Sequence, residues 1–182
     1  MKATDLIAKT LKKNNINYAF GLQGGAVVHI FDSLVKNKID ITYTHHEESA
    51  ALAAVSNAKT TSQIGCAVVT TGPGTTNAIT GLLAAWQDSI PVIFISGQAR
   101  SNHTSYNKKV RQVGTQEVNI CDIIRPITKY TKFINDKKIV FKEINKALEI
   151  AKSGRPGPVW LDLALEVQWQ NINIDKSKIK YI

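Results

Sequence analysis

Ile64-Gly65-Cys66-Ala67-Val68-Val69-Thr70-Thr71-Gly72-Pro73-Gly74-Thr75-Thr76-Asn77 is the stretch that decides the fold class. Residues 64–70 form an unbroken run, with Cys66-Ala67-Val68-Val69 at its centre. A strand with one wet face alternates polar and apolar residues. A run without alternation suits a strand covered on both faces, as in a parallel sheet. Gly72-Pro73-Gly74 then makes a turn, and a helix is expected from Thr75 or Thr76 to about Asp88.

Working outward, the same strand–turn–helix unit recurs. Toward the carboxyl end, residues 91–96 read as a second β-branched strand, followed by a polar segment over 97–115. That segment is long for a simple connection, which favours a functional or partner-ordered loop. A short helix over 118–124, a strand over 128–133 and a helix over 136–151 follow. Ser153-Gly154-Arg155-Pro156-Gly157-Pro158 stops that helix, and 159–163 is the last strand. Toward the amino end lie an alanine-rich helix over 47–59, a strand over 39–44, a helix over 27–35, a strand over 18–20 and a helix over 4–14 capped by Thr4. The alternation implies an α/β fold with a mainly parallel sheet and helices on both faces. Such sheets bind ligands outside the carboxyl ends of their strands. Three polar or glycine-rich segments fall there: 21–25, 45–48 and 70–77.

The 182 residues suffice for one sizeable core. No apolar run approaches the length of a membrane span, and no leader pattern precedes the first helix, so a cytoplasmic protein without a membrane partner is expected. Cys66 and Cys121 lie in apolar surroundings without neighbouring ligands and read as buried free thiols, with no metal site. The net charge is +9, and the stretch from Arg100 to Arg155 holds 13 basic and five acidic side chains. Those lysines are spread over helices and loops with no aromatic platform between them, which favours a solvated face over nucleic-acid binding.

Two motifs carry possible chemistry. The loop 72–77 opens a helix and offers free N–H groups, but it lacks both the Gly-x-Gly-x-x-Gly fingerprint and a Gly-Lys-Ser/Thr ending. Ligand contact and a purely structural turn both remain open for it. Glu47 follows a strand and begins an alanine-rich helix. Its carboxylate can simply satisfy orphan helical N–H groups. Sheltered, such a carboxyl can instead stay uncharged and donate a proton to a bound heteroaromatic ring. Glu48 is expected to face solvent, and the adjacent His45 and His46 point in different directions, which rules out a helical metal pair.

In combination these segments resemble the amino-terminal, pyrimidine-binding domain of thiamine-diphosphate enzymes, and most of all that of the acetolactate synthase large catalytic subunit. The resemblance rests on Phe20-Gly21-Leu22-Gln23-Gly24-Gly25-Ala26, His46-Glu47-Glu48-Ser49-Ala50-Ala51, Thr70 to Asn77, Asp88-Ser89-Ile90-Pro91, Ser96-Gly97-Gln98, Gln116-Glu117-Val118, Arg125 to Lys129 and Gly154 to Val159. It covers about residues 3–168. It implies that thiamine diphosphate is the cofactor and that Glu47 hydrogen-bonds to N1′ of its aminopyrimidine ring. Gly24, Gly25, Pro73 and Asn77 would shape the pyrimidine side, and Gln116 the substrate side. The implied substrates are 2-oxo acids, undergoing decarboxylation with carboligation.

This sequence departs from the family in places. Gln23 stands where proline is common, and Glu47-Glu48-Ser49 replaces the usual Glu-Gln-Gly. Thr115 replaces a phenylalanine, which leaves acceptor size open, and Ala164 replaces a proline. No Gly-Asp-Gly magnesium motif occurs in it. Magnesium is therefore expected only through a diphosphate-binding domain, and the chain alone is expected to be inactive. The expected division is a pyrimidine-binding domain over 1–168 and a polar tail or linker over 169–182. A homo-oligomer, or a hetero-oligomer with a diphosphate-binding chain, is the implied assembly. Two alternatives stand beside this one: a small subunit of a split 2-oxo-acid decarboxylase, and a non-catalytic interaction domain retaining the fold.

Overall fold

The computed structural model describes residues 1–173. Its elements are α1 (Ala3–Lys13), β1 (Tyr18–Gly21), α2 (Val28–Lys36), β2 (Asp40–Tyr43), α3 (Glu47–Thr61), β3 (Gly65–Val69), α4 (Pro73–Asn77), α5 (Ile79–Gln87), β4 (Val92–Gln98), α6 (Ile120–Ile124), β5 (Tyr130–Ile134), α7 (Val140–Lys152), β6 (Val159–Ala164) and α8 (Leu165–Trp169). The six strands form one sheet in the order β2-β1-β3-β4-β6-β5, and every pairing is parallel. The expected fold class is thus the observed one.

The unbroken apolar strands are buried on both faces because each face has its own core. Cys66 and Val68 of β3, Ile93 and Ile95 of β4, and Val159, Leu161 and Leu163 of β6 point into a layer with residues of α1, α2 and α7. The alternate positions Ala67, Val69, Val92, Phe94 and Trp160 pack beneath α3, α5 and α6. Phe94 and Trp160 stack with their planes 2° apart and centroids 4.9 Å apart. The period of two along each strand therefore distributes side chains between two dry layers rather than between core and water. Cys66 and Cys121 are buried free thiols, as expected. Burial pushes Cys66 up to about 12 and Cys121 up to about 11, which keeps both protonated and unreactive near neutrality.

Four local readings need correction. Thr4 does not cap α1. It lies inside the helix, buried, and its hydroxyl donates to the carbonyl of Gln168 at 3.0 Å. The helix after β3 starts at Pro73 and breaks at Ala78 into α4 and α5. Proline fits the first helical position because its missing N–H is unneeded there. α8 was not expected at all. It is short, and Gln168 anchors it by donating from Nε2 to the carbonyl of Ala26 at 2.7 Å. Glu48 is half-buried rather than solvent-facing. Most of the polar tail assigned to 169–182 lies outside the described residues. Asn171 still forms an antiparallel bridge with Lys2. No described helix is long and apolar enough to cross a membrane.

Close backbone approaches bring the turns against the sheet. A Cβ placed on Gly97, near the end of β4, would lie 1.7 Å from the Ala26 carbonyl oxygen, the same oxygen that Gln168 holds. Gly97→Ala is accordingly expected to destabilise the fold by about 3 kcal/mol or more, since neither the carbonyl nor the strand can yield freely. Urea unfolding should show a lower midpoint with an unchanged slope. A midpoint equal to that of the unsubstituted protein would contradict this packing.

Candidate cofactor site

The strand order places β2 and β3 on opposite sides of β1, so the connections that follow the neighbouring strands β1 and β3 run in opposite directions. Crevices at such points, outside the carboxyl ends of the strands, are where open parallel sheets bind ligands. The expected segments meet there. Gly24 sits against Thr70: a Cβ on Gly24 would lie 2.6 Å from the Thr70 side chain. Gly74 approaches the same threonine, and a Cβ on Gly74 would also come within 3.2 Å of Glu47 Oε1. Gly25 is exposed, with nothing within 4 Å of its would-be Cβ. Gly24 and Gly74 thus meet at Thr70, Gly74 lies at one edge of the Glu47 carboxyl, and Gly25 stands apart from them.

Glu47 is 7% exposed and starts α3, whose N-cap is His46. The His46 ring accepts from the backbone N–H of Glu48, so the imidazole, not the Glu47 carboxylate, caps the helix. Among the described residues no backbone N–H of α3 donates to the Glu47 carboxylate. Asn77 Nδ2, at the end of α4, donates to Glu47 Oε2 at 3.0 Å. Among the described residues no hydrogen bond reaches Oε1, which leaves that oxygen available on the side of Gly74. Sequence reading named both Glu47 and Asn77, but not the bond between them. Pro73 is exposed at the head of α4 and lies outside this carboxyl–amide pair.

Gln116 and Gly72 meet at a second close approach. A Cβ on Gly72 would fall 2.0 Å from the Gln116 carbonyl oxygen, and both residues have positive φ, +65° and 58°. Gly72 has to be glycine for both reasons. Gln116, by contrast, adopts a left-handed conformation unusual for its type. Its side chain is exposed, as is that of Thr115. Beneath them the long polar segment is held by buried or half-buried acids. Glu117 accepts from the Val113 N–H at 2.9 Å and from Ser105 Oγ at 3.1 Å. Glu166 accepts from the Ser101 N–H at 2.9 Å.

One group that sequence reading missed is Asp162, fully buried in β6. Its carboxylate accepts from Ser96 Oγ at 2.6 Å, Gln98 Nε2 at 3.0 Å and Tyr106 Oη at 3.3 Å. Trp160 Nε1 in turn donates to Ser96 Oγ at 2.8 Å. Desolvation dominates and pushes Asp162 up to about 6, offset in part by those three donors. Only the Ser96↔Asp162 register of β4 against β6 reveals this cluster, and no spacing along the chain encodes it. Among the described residues no group of three or more His, Cys, Asp or Glu side chains could hold a metal.

A doubly covered parallel sheet, with a sheltered carboxyl and close-packed glycines at its switch point, has the arrangement in which open α/β domains bind ligands. A profile for the thiamine pyrophosphate enzyme N-terminal TPP-binding domain matches residues 1–123, and the chain belongs to that family. It is 35% identical over its whole length to the acetolactate synthase large subunit of Haemophilus influenzae, covering 31% of that protein. It is 36% identical over 98% of its length to a probable acetolactate synthase large subunit of Methanocaldococcus jannaschii, covering 29%. It is 34% identical over 92% of its length to acetolactate synthase isozyme 3 large subunit of Escherichia coli, covering 28%. The chain thus spans a little under a third of the length of these curated relatives.

The raised Asp162 pKa makes a prediction about pH. The folded state retains a proton that the unfolded state, near 3.8, has lost. The stability from this group is therefore complete below about pH 4 and lost as pH rises to about 6, a change of about 3 kcal/mol. Unfolding free energies measured across that window should fall more steeply for the unsubstituted chain than for Asp162→Asn. Equal slopes would contradict the assignment.

Proposed function

We propose that the chain is the pyrimidine-binding part of an acetolactate synthase-like thiamine-diphosphate enzyme acting on 2-oxo acids. The observation that carries this reading is the buried Glu47 carboxyl, tied by Asn77 and open on its Gly74 side. A neutral cradle with one unshared carboxyl oxygen fits the edge of an aminopyrimidine. Glu47 would hold a proton against N1′ of that ring, and Asn77 would orient the carboxyl from behind. Gly24, Gly25 and Pro73 would shape the surrounding wall, and Gln116, beside Gly72, would face the substrate. When bound, the cofactor supplies the nucleophilic carbon and the electron sink for decarboxylation. This chain supplies orientation, proton control at Glu47 and partial exclusion of water. Magnesium would be held by a diphosphate-binding domain beyond the 1–168 pyrimidine domain or on another chain.

Assembly is part of the proposal. Leu52 on α3, and Leu83 and Trp86 on α5, are about 40% exposed on two helices that pack against each other. Relatives are named as large subunits, which supports an oligomer with such a surface buried. A cytoplasmic location fits this chemistry. The burial of Glu47 favours a cofactor domain over an interaction domain that merely keeps the fold.

The test is a 2-oxo-acid assay with thiamine diphosphate and magnesium, on the chain alone and joined to a diphosphate-binding polypeptide. No turnover is expected alone, and carboligation or decarboxylation is expected in the assembly. Glu47→Gln should lower kcat there by about 100-fold or more, because an amide cannot relay the proton. Full activity of the Gln variant would remove Glu47 from its role, and robust turnover by the chain alone would refute the division of labour.

A further inference from the structure

Gln98, the last residue of β4, is fully buried and uses every hydrogen-bonding position of its amide. Oε1 accepts from Thr71 Oγ1 at 2.7 Å and from the Ala99 N–H at 2.9 Å. Nε2 donates to the Val118 carbonyl at 2.8 Å and to Asp162 Oδ2 at 3.0 Å. The orientation of the amide is fixed by its partners. The Ala99 N–H can only donate and the Val118 carbonyl can only accept, so a flipped amide would mismatch both.

The partners come from three separate parts of the chain. Thr71 precedes the turn that leads, through α4, to Asn77 and its bond to Glu47. Val118 lies two residues after Gln116. Asp162 belongs to β6 and is itself held by Ser96 and Tyr106. The turn and the Gln116 segment are also in direct contact, because the Gln116 carbonyl fills the space that a side chain at Gly72 would need. Two elements at positive φ thus touch, and one buried amide holds both. Replacing Gln98 alone by an apolar residue would leave its four polar partners unmatched, and an unsatisfied buried donor or acceptor is costly.

We infer that Gln98 is a positioning residue: its amide couples the pyrimidine-side turn, 71–77, to the substrate-side segment, 116–118, with Asp162 as the acceptor that fixes the amide's orientation. The inference rests on the proposed function for the names of the two sides. The coupling itself is a property of the folded chain. It holds the Asn77–Glu47 side and the Gln116 segment together through one side chain that touches neither, alongside the direct contacts of Gly72 and Thr71 with the Gln116 carbonyl.

Hydrogen exchange on the 182-residue chain tests it without cofactor or turnover. Protection factors are read by mass spectrometry for residues 70–77, 112–119 and, as a reference, α7. Gln98→Met, similar in length but unable to hydrogen-bond, should lower protection in both site segments about tenfold and leave α7 unchanged. Gln98→Glu should show a pH signature. The new carboxyl would face Asp162, with Glu117, Tyr106 and Cys121 as the other titratable groups around that aspartate. Two adjacent buried carboxyls cannot both ionise. Protection in both segments should therefore approach that of the unsubstituted chain at about pH 5 and fall to the Met level at about pH 8. Should Gln98→Met fail to fold, Thr71→Val removes one of the four bonds from the turn side. It should still lower protection at 117–119, beyond the Gln116 carbonyl that Thr71 Oγ1 itself reaches at 3.5 Å. The coupling is overturned by loss confined to one segment, by equal loss in α7, or by a Glu variant without pH dependence. Failure of 2-oxo-acid turnover, with these exchange results intact, would overturn the proposed function and leave the coupling standing.

Discussion

The hydrogen bond from Asn77 to Glu47 is the contact on which the rest of the site depends. It joins the helix after β3 to the helix after β2 across the mouth of the sheet, and it occupies one carboxyl oxygen while leaving the other clear. A carboxyl so placed cannot swing into water without breaking that bond, and it cannot be capped from the other side because Gly74 has no side chain. His46 accepts the Glu48 N–H at the start of α3, and the Glu47 carboxylate bonds Asn77 instead. A nearly buried carboxyl with one oxygen unbonded at the mouth of a parallel sheet is the feature on which the cofactor proposal rests.

The fold supports that contact by making the sheet dry on both faces. Parallel strands covered by two helical layers leave polar groups only at their ends, and the chain crosses itself there at distances that exclude side chains. Gly24, Gly72, Gly74 and Gly97 each mark such a crossing. The polar cluster of Ser96, Gln98, Tyr106 and Asp162 lies on β4 and β6, across the sheet from β2, the strand that precedes Glu47. Its members satisfy one another almost completely, which is the condition under which buried polar groups rigidify rather than weaken a protein.

Much of this was legible in the sequence, for physical reasons that can be named. The run Cys66 to Val69 announced a doubly covered strand because burial on both faces abolishes alternation. The glycine and proline clusters marked turns because few other residues tolerate those geometries. Glu47, Asn77 and the Gly24-Gly25 turn were identified by their resemblance to a known arrangement, and the structure brings Glu47, Asn77 and Gly24 to one crevice. What escaped depends on register and on distant partners. Thr4 looked like a cap because nothing local says that Gln168 lies beside it. α8 was missed because its stability comes from the Ala26 carbonyl and not from a periodic apolar stripe. Asp162 looks unremarkable along the chain, Gln98 enters only as part of the Ser96-Gly97-Gln98 match, and the pairing of β4 with β6 is what places them together.

The most direct measurement is a structure of the chain assembled with a diphosphate-binding polypeptide and thiamine diphosphate. N1′ of the aminopyrimidine is expected within hydrogen-bonding distance of Glu47 Oε1, with Asn77 still on Oε2. An aminopyrimidine bound elsewhere, with the Glu47 carboxyl turned to solvent or to another partner, would contradict it.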